Sequence, residues 1–419
     1  MWLPMRLGDI ANRDAQRYGK PLDGIRVLAA EQMQALPYAT QLLARLGAEV
    51  VKVEHPVHGE SGRASLPAML DPEGRKVGAT YLRNNLGKRS VGIDLKQPEG
   101  RELFLALVPG FDVVAENFKA GTMDRMGLGY DAIAEANPRA IYVSLSGFGN
   151  TVATPYRDWP AYASIAEAMS GIYEWKAGPD RPPVANPVGA LGDISSALFA
   201  TIGILAALRH RDHTGEGQYV DVAMLDAVIA MTDVVTNFWS LGVRPEPGKG
   251  LQMILDGFRA SDGYVVVQIV REHQFEKLAD LVGHPEWKTD PRFATRAGYP
   301  EHLESVIRPA VEAWAAGRTK LEAARALTEV GIAAGPSNSA PDVIADDHVA
   351  ARNMLVEMPR SDGVAEPVLI PGNPVKMSKV AEGPETRVPW VGEHTATVLR
   401  EELDLSDADL ADLRDAGVI

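Results

Sequence analysis

The chain has 419 residues, 46% hydrophobic and 23% charged, an ordinary soluble composition; at about 100–200 residues per domain it is long enough for two or three domains with substantial cores. It has no cysteine, which excludes disulfide scaffolds, thiolate metal sites, iron–sulfur clusters and cysteine nucleophiles. Forty-two Lys and Arg against 56 Asp and Glu leave a net charge of −14 with no long basic run, so nucleic acid is a poor partner and any anionic ligand must be held by a local cluster.

Met1–Tyr18 mixes apolar residues with Arg6, Asp9, Arg13, Asp14 and Arg17 and has no signal-peptide core, so a soluble, cytoplasmic protein is expected. From Pro21 to about Leu145 the pattern alternates between strand and helix. Ile25–Ala29, Glu49–Glu54, Ser90–Leu95, Asp112–Ala115 and Ala140–Leu145 are predicted strands. Tyr38–Leu46, with Pro37 in its first turn and Gly47 as its stop, and Glu99–Leu107 are predicted helices. This alternation predicts an α/β fold, a doubly wound, mostly parallel (Rossmann-like) sheet with helices on both faces and ligands at the carboxyl ends of the strands. Residues 151–192 are rich in Pro and Gly and predict a loop holding one helix, Ser164–Met169. Ser195–Arg211 is the longest apolar helix; its uncharged run, Ile194–Leu208, is shorter than the about 20 residues a bilayer span needs, so no membrane segment is expected. Tyr219–Ala223 and Met224–Ser240 add a strand and a helix, and Gly242–Gly250 marks a break.

Beyond the break the character changes. Gly257–Ala260 and Tyr264–Val270 flank Ser261-Asp262-Gly263, a hairpin signal, and helices are expected from Glu272 to Leu327. The organisation read from these patterns is a large domain over 20–240, a smaller α+β domain over 251–335, and a proline-rich linker and return to the large domain over 336–419. The return ends in a helix with Ser406 as N-cap and Asp409 in position for a capping box.

Generic catalytic motifs are absent: there is no G-x-S-x-G, Walker loop, H-E-x-x-H or full G-x-G-x-x-G after a strand. His55 and His58 with Glu54 and Glu60 could ligate a metal, but such a loop cluster reads better as surface residues, and no metal is expected. His210 and His213 sit at a helix end, where cations suit the dipole. The informative stretch is Ala190-Leu191-Gly192-Asp193-Ile194-Ser195-Ser196, running into the long apolar helix. Asp193 is either the N-cap of that helix or a carboxylate facing a ligand, kept ionised by the helix N-terminus and available as a nucleophile.

The ordered motifs LDGIRVL and PYATQLLARLGAEVVKVE (within Pro21–Glu54), NNLGKRSVGIDLKQPEGRELF (Asn84–Phe104), DVVAENFKAGTMDRMGLGYDAI (Asp112–Ile133), NPRAIYVSLSGFG (Asn137–Gly149), GDISSALFATIGILAAL and GEGQYVDVAMLDA (Gly215–Ala227) resemble the class III CoA-transferase family. RASDGYVVVQIV, DPRFATR, GIAAGPSNS and GEHTATVL extend the resemblance to the C-terminus. It implies that Asp193 is the catalytic nucleophile, moving coenzyme A from an acyl-CoA donor to a free carboxylic acid through a mixed anhydride and an enzyme–CoA thioester. It also implies that Gln34 and Ala35 lie near the thioester, Ile93 and Lys96 near adenine and phosphate, Asn117, Phe118 and Arg125 along the coenzyme, Lys119 as a further phosphate partner, and Tyr162 at the acyl end. Coenzyme A would be a substrate, with no permanently bound cofactor. Without the ligand, Lys96, Lys119 and Arg125 read equally as solvated helix-end charges.

Two departures bear on the implied function. His55 stands at a coenzyme-contacting position where some members carry an arginine on phosphate. The glycine-rich loop of the formyl-CoA branch is reduced to Gly248-Lys249-Gly250, which takes support from a formyl/oxalate pair. The α-methylacyl-CoA racemase branch needs a histidine in the segment matching Arg157–Tyr162, yet no histidine stands between His58 and His210. A non-catalytic CoA- or nicotinamide-binding protein would need only the doubly wound sheet; the incomplete glycine fingerprint argues against the nicotinamide version and Asp193 against a dead enzyme. Members of the family form interlocked homodimers of ring-shaped chains, and Gly242–Gly250 and Pro336–Pro374 could supply the two linkers of such a ring.

Overall fold

The computed structural model describes residues 4–177, 182, 190–244 and 252–419. The described residues form two compact units, one made of 4–173, 190–237 and 347–419, the other of 174–177, 182, 238–244 and 252–346.

The larger unit is organised around a six-stranded sheet, β1 (Arg26–Ala30), β2 (Glu49–Glu54), β3 (Arg89–Gly92), β4 (Val113–Glu116), β5 (Ile141–Ser146) and β6 (Tyr219–Ala223). All five pairings are parallel, in the order β3-β2-β1-β4-β5-β6. Val27 and Ala29 of β1 face one side of the sheet and Leu28 and Ala30 the other, as the two-residue repeat of a strand requires. The first side packs on Leu36, Ala39 and Leu43 of α1 (Ala35–Arg45). Phe104 and Leu107 of α2 (Pro98–Leu107) and Ile133 of α3 (Tyr130–Ala136) cover the second. Burial on both faces accounts for the nearly unbroken apolar character of these strands. Gly47, at φ 111°, closes the turn after α1, and a Cβ there would lie 2.6 Å from that of Lys20.

The elements differ in detail from the sequence expectations. β3 ends at Gly92 because the Asp94 amide bonds the Val418 carbonyl near the C-terminus instead of continuing the ladder. After α4 (Ala163–Met169) a second short helix, Ile172–Ala177, occupies the expected loop. The long helix α5 runs from Leu191 to Thr214, so its first turn contains Asp193. At 24 residues, with mean hydropathy 1.8 in its most apolar window, α5 is long and apolar enough to cross a bilayer, contrary to the reading of its uncharged run alone. Its packing is that of a core helix: Ala197, Ala200 and Ile204 are fully buried on the first side of the sheet, while Leu198, Phe199 and Ile202 point outward. α6 (Met224–Met231) is shorter than expected and stops where Thr232 turns extended.

In the second unit β7 (Ile254–Ala260) and β8 (Gly263–Ile269) form the antiparallel hairpin, and β9 (Ala333–Pro336) adds to β8. α7 (Glu272–Leu281), α8 (Arg308–Ala315) and α9 (Lys320–Glu329) bury Phe275, Val311 and Leu327 against Phe258, Val265 and Val267. The unit runs on to residue 346 through a helical turn, Ala340–Ile344, capped by Ser339 and tied back by the Lys320–Asp342 ion pair. The chain then returns to the larger unit. There β10 (Leu355–Met358) pairs with β11 (Val368–Pro371) and with the N-terminal Met5–Arg6, so residues ahead of 20 belong to this unit. α10 (Thr395–Leu403) and α11 (Asp407–Asp415) complete the second face with Val398, Leu399 and Leu410. Ser406 and Asp409 make the reciprocal bonds of a capping box.

Candidate active site at the carboxyl edge of the sheet

Strand order reverses between β1 and β4, and the carboxyl ends of strands at such a reversal are the usual ligand position in these sheets. Asn117 spans the reversal: its Oδ1 accepts the Gln32 amide at 2.8 Å and its Nδ2 donates to the Gln32 carbonyl at 2.9 Å. Met33 follows in the left-handed region, φ 60°, and donates its amide to Glu60 Oε2 at 2.9 Å. A non-glycine residue held there costs on the order of 1 kcal/mol or more, which the surrounding bonds offset. Beside this point lies a cavity of 320 Å³ lined by apolar Val53, Ile93, Leu95, Phe118 and Met126, by His55 and Lys96, and by the carboxylates Glu31, Glu54, Glu60 and Asp94.

Three of those carboxylates, Glu31, Glu54 and Glu60, belong to a buried ion network. Lys88 Nζ lies 2.7 Å and Lys52 Nζ 3.6 Å from Glu31 Oε1, and Lys52 also meets Glu60 at 3.5 Å. Arg63 grips both oxygens of Glu54 at 2.7 and 2.5 Å, and Glu54 further accepts Ser90 Oγ and the Glu60 amide. Burial opposes ionisation of Glu54, yet Arg63 holds its carboxyl below the ordinary value; burial, partly offset by Glu31, lowers Lys88 to about 8. Glu54 and Glu60 are therefore interior residues, not the surface pair expected from the loop, because each carboxylate is saturated by cations and amides that stiffen residues 54–63. His55 Nδ1 accepts the Val57 amide and stacks on His58, with ring centroids 5.0 Å apart. Among the described residues no three His, Asp or Glu are grouped as metal ligands.

Of the residues implied by resemblance, His55, Ile93, Lys96 and Phe118 line this one cavity. Gln34 is the residue ahead of α1, and Ala35 is fully buried in the core, where only its backbone could meet a ligand. Asn117 spends its amide on Gln32 as described, and Glu116 accepts the Phe118 amide at 2.8 Å, so both acidic and amide groups of this loop orient Phe118. Lys96, Lys119 and Arg125 are exposed, and none is ion-paired to a described carboxylate. Arg125 is joined by a residue that the sequence left unassigned to the coenzyme, Arg157. A Cβ on Gly121 would lie 3.1 Å from Arg125 Nη1 and 3.8 Å from Arg157 Nη2, so two guanidiniums without a carboxylate partner among the described residues converge on one glycine. Tyr162 precedes α4 and is 72% exposed. Gly248-Lys249-Gly250 lies outside the described residues.

Asp193 is the third residue of α5 and is not its N-cap. That position belongs to Ala190, in the left-handed region at φ 58°. The capping bond comes from another helix: Glu167 of α4 accepts the Gly192 amide at 3.0 Å through Oε1 and the Tyr173 hydroxyl at 2.5 Å through Oε2. The Asp193 carboxylate accepts no hydrogen bond from any described residue. Burial first, and the charge of Glu167 second, raise it to about 6, overriding the depression expected from the helix N-terminus. It is still about nine-tenths ionised at neutral pH. Gly192 permits the approach of α4 to this turn, since a Cβ there would sit 3.1 Å from the Ala163 Cα and carbonyl oxygen. Glu167 was legible as an anomaly: with Ala163 and Ala166 it occupies the buried stripe of α4, a carboxylate where an apolar residue is the norm.

The family model described as CoA-transferase family III matches residues 22–395. The chain is 37% identical over 390 residues to the succinyl-CoA:mesaconate CoA-transferase of Haloarcula hispanica, covering 91% of this chain and 96% of that one. It is 34% identical over 405 residues to the beta subunit of the succinyl-CoA–L-malate CoA-transferase of Chloroflexus aurantiacus, covering 95% and 98%. Among solved structures, a CAIB/BAIF family protein from Brucella suis superposes with a TM-score of 0.78 at 33% identity, over 91% of this chain and 99% of that one. Matches of this length and identity make the chain a member of CoA-transferase family III.

Proposed function

We propose that this acyl-CoA:carboxylate CoA-transferase works through Asp193 as its nucleophile. The observation that carries the reading is the free Asp193 carboxylate on the first turn of α5, released from the capping duty that Glu167 performs. An Asp193 oxygen attacks the thioester carbonyl, the C–S bond breaks, and coenzyme A departs as thiolate from a mixed anhydride. The thiolate then attacks the aspartyl carbonyl, giving an enzyme–CoA thioester and releasing the donor acid as its carboxylate. The acceptor carboxylate attacks that thioester, and the expelled thiolate takes the new acyl group, regenerating Asp193. A carboxylate suits this exchange because an acyl anhydride keeps the energy of the thioester, and partial burial limits loss of the anhydride to water.

In this reading the 320 Å³ cavity takes the adenine end of the coenzyme between Ile93 and Phe118, with His55 in its lining. Lys96, Lys119 and Arg125, with Arg157, neutralise the phosphates. The Gln34–Ala35 backbone and Tyr162 lie along the pantetheine and acyl end. The other substrate is a small carboxylic acid. Succinyl-CoA with mesaconate or L-malate, the substrates in the relatives' names, is the first set to assay. The outward Leu198, Phe199 and Ile202 of α5, with Ile229 and Met231 of α6, support burial against a second copy in an interlocked homodimer. Incubation with acyl-CoAs and free acids, read by mass spectrometry, tests the function. Asp193→Ala is expected to abolish transfer while leaving acyl-CoA affinity within about threefold. Normal transfer by that variant would refute the nucleophile assignment.

A further inference from the structure

Glu167 is 1% exposed, sits at the N-terminus of α5 and has no cationic partner among the described residues. A buried carboxylate without a counter-cation is costly unless its charge is taken up by hydrogen bonds and dipoles. Here the Gly192 amide, the Tyr173 hydroxyl and the positive end of a 24-residue helix do so. A neutral cap would serve the helix as well, and serine, threonine or asparagine is the ordinary choice. What the carboxylate adds is a negative charge beside Asp193.

We propose that Glu167 is a positioning residue for the nucleophile: it fixes the first turn of α5 through the Gly192 amide and sets a buried negative charge beside the Asp193 carboxylate. The elements packed against α5 carry other titratable groups, Tyr38 and Arg45 on α1, Tyr142 on β5, Tyr219 and Asp221 on β6 and Asp226 on α6. Among the described residues, the charge that raises Asp193 is that of Glu167, adding to burial. The two effects have one origin. The charge that holds the turn also opposes, at Asp193, the stabilisation that the helix N-terminus gives an anion, so Asp193 keeps its proton affinity.

Glu167→Gln separates charge from shape, because the amide oxygen can still accept the Gly192 N–H. The test is a carbon-13 titration of the Asp193 carboxyl in the full chain, with the resonance assigned by its loss in Asp193→Asn. The midpoint is expected to fall by about half a pH unit or more, about threefold in proton affinity. Transfer kcat should fall about threefold to tenfold with KM for acyl-CoA nearly unchanged. Glu167→Ala loses the cap as well, so amide exchange at Gly192 should accelerate about tenfold, a change absent in Glu167→Gln. An Asp193 midpoint unmoved in Glu167→Gln, or Gly192 exchange unmoved in Glu167→Ala, would overturn the proposal. The kinetic arm rests on the nucleophile reading; the titration and exchange arms do not, so failure of that reading shows separately, as transfer by Asp193→Ala.

Discussion

Replacing Asp193 by asparagine should stabilise the protein, and the gain should depend on pH. The folded chain holds the Asp193 carboxyl at about 6 against an ordinary 3.8, through burial and then Glu167. A carboxyl whose folded value is raised binds its proton more tightly in the folded state than in the unfolded chain. Its favourable contribution is therefore complete below pH 3.8 and is lost as pH rises through 6. A separation of about two pH units corresponds to about 3 kcal/mol, borne by the wild type at pH 8 and absent at pH 3.5. The substituted carboxamide does not titrate, so the difference in stability between Asp193→Asn and wild type should grow by about 2–3 kcal/mol from pH 3.5 to pH 8, most of it between pH 4 and 6.5. Urea unfolding of both proteins across that range measures it, and subtraction removes the constant packing difference and every other titrating group. A difference that stays flat with pH, or falls as pH rises, would refute the claim that the nucleophile is held as a reluctant anion. The expected direction is that of a functional residue maintained at the expense of stability.

Other consequences follow from the same geometry. Arg63→Met leaves Glu54 buried and unpaired and should destabilise the larger unit by about 3–5 kcal/mol, read as a lower denaturant midpoint; a loss below about 1 kcal/mol would show that the network does not hold residues 54–63. Phe118→Ala should weaken coenzyme A binding about tenfold at any salt concentration, whereas Arg125→Ala and Arg157→Ala should weaken it more at low salt than at high, by titration calorimetry. Equal salt dependence for all three would show that the guanidiniums do not meet phosphate. No exchange of the α-proton of a 2-methylacyl-CoA into heavy water is expected, because Asp158 and the exposed Trp159 stand in the segment where a racemase needs its histidine. Exchange at a rate comparable with transfer would overturn that.

The features legible in the chain before folding are those that local periodicity encodes. The apolar runs of β1, β2, β4 and β5, the helical spacing of α1 and α2, the Ser261–Gly263 hairpin and the Ser406 cap each depend on residues within a few positions of one another, so their pattern is visible in the sequence. The order of these elements was enough to predict the parallel sheet at whose carboxyl edge a ligand is expected. The hydrogen-bond partners emerge only in three dimensions. Asp193 has the sequence environment of a helix cap, but Glu167, 26 positions earlier, reaches the Gly192 amide and leaves the aspartate free. Glu54 and Glu60 read as loop carboxylates, yet Arg63, Lys52 and Ser90 converge on them from separate elements and make them part of the interior. Met5 finds its strand partner at Val356. Unlike the local Ser406 cap, a charge or cap whose partner is remote in sequence is satisfied by whichever group folding brings within about 3 Å, and no spacing along the chain reports that distance.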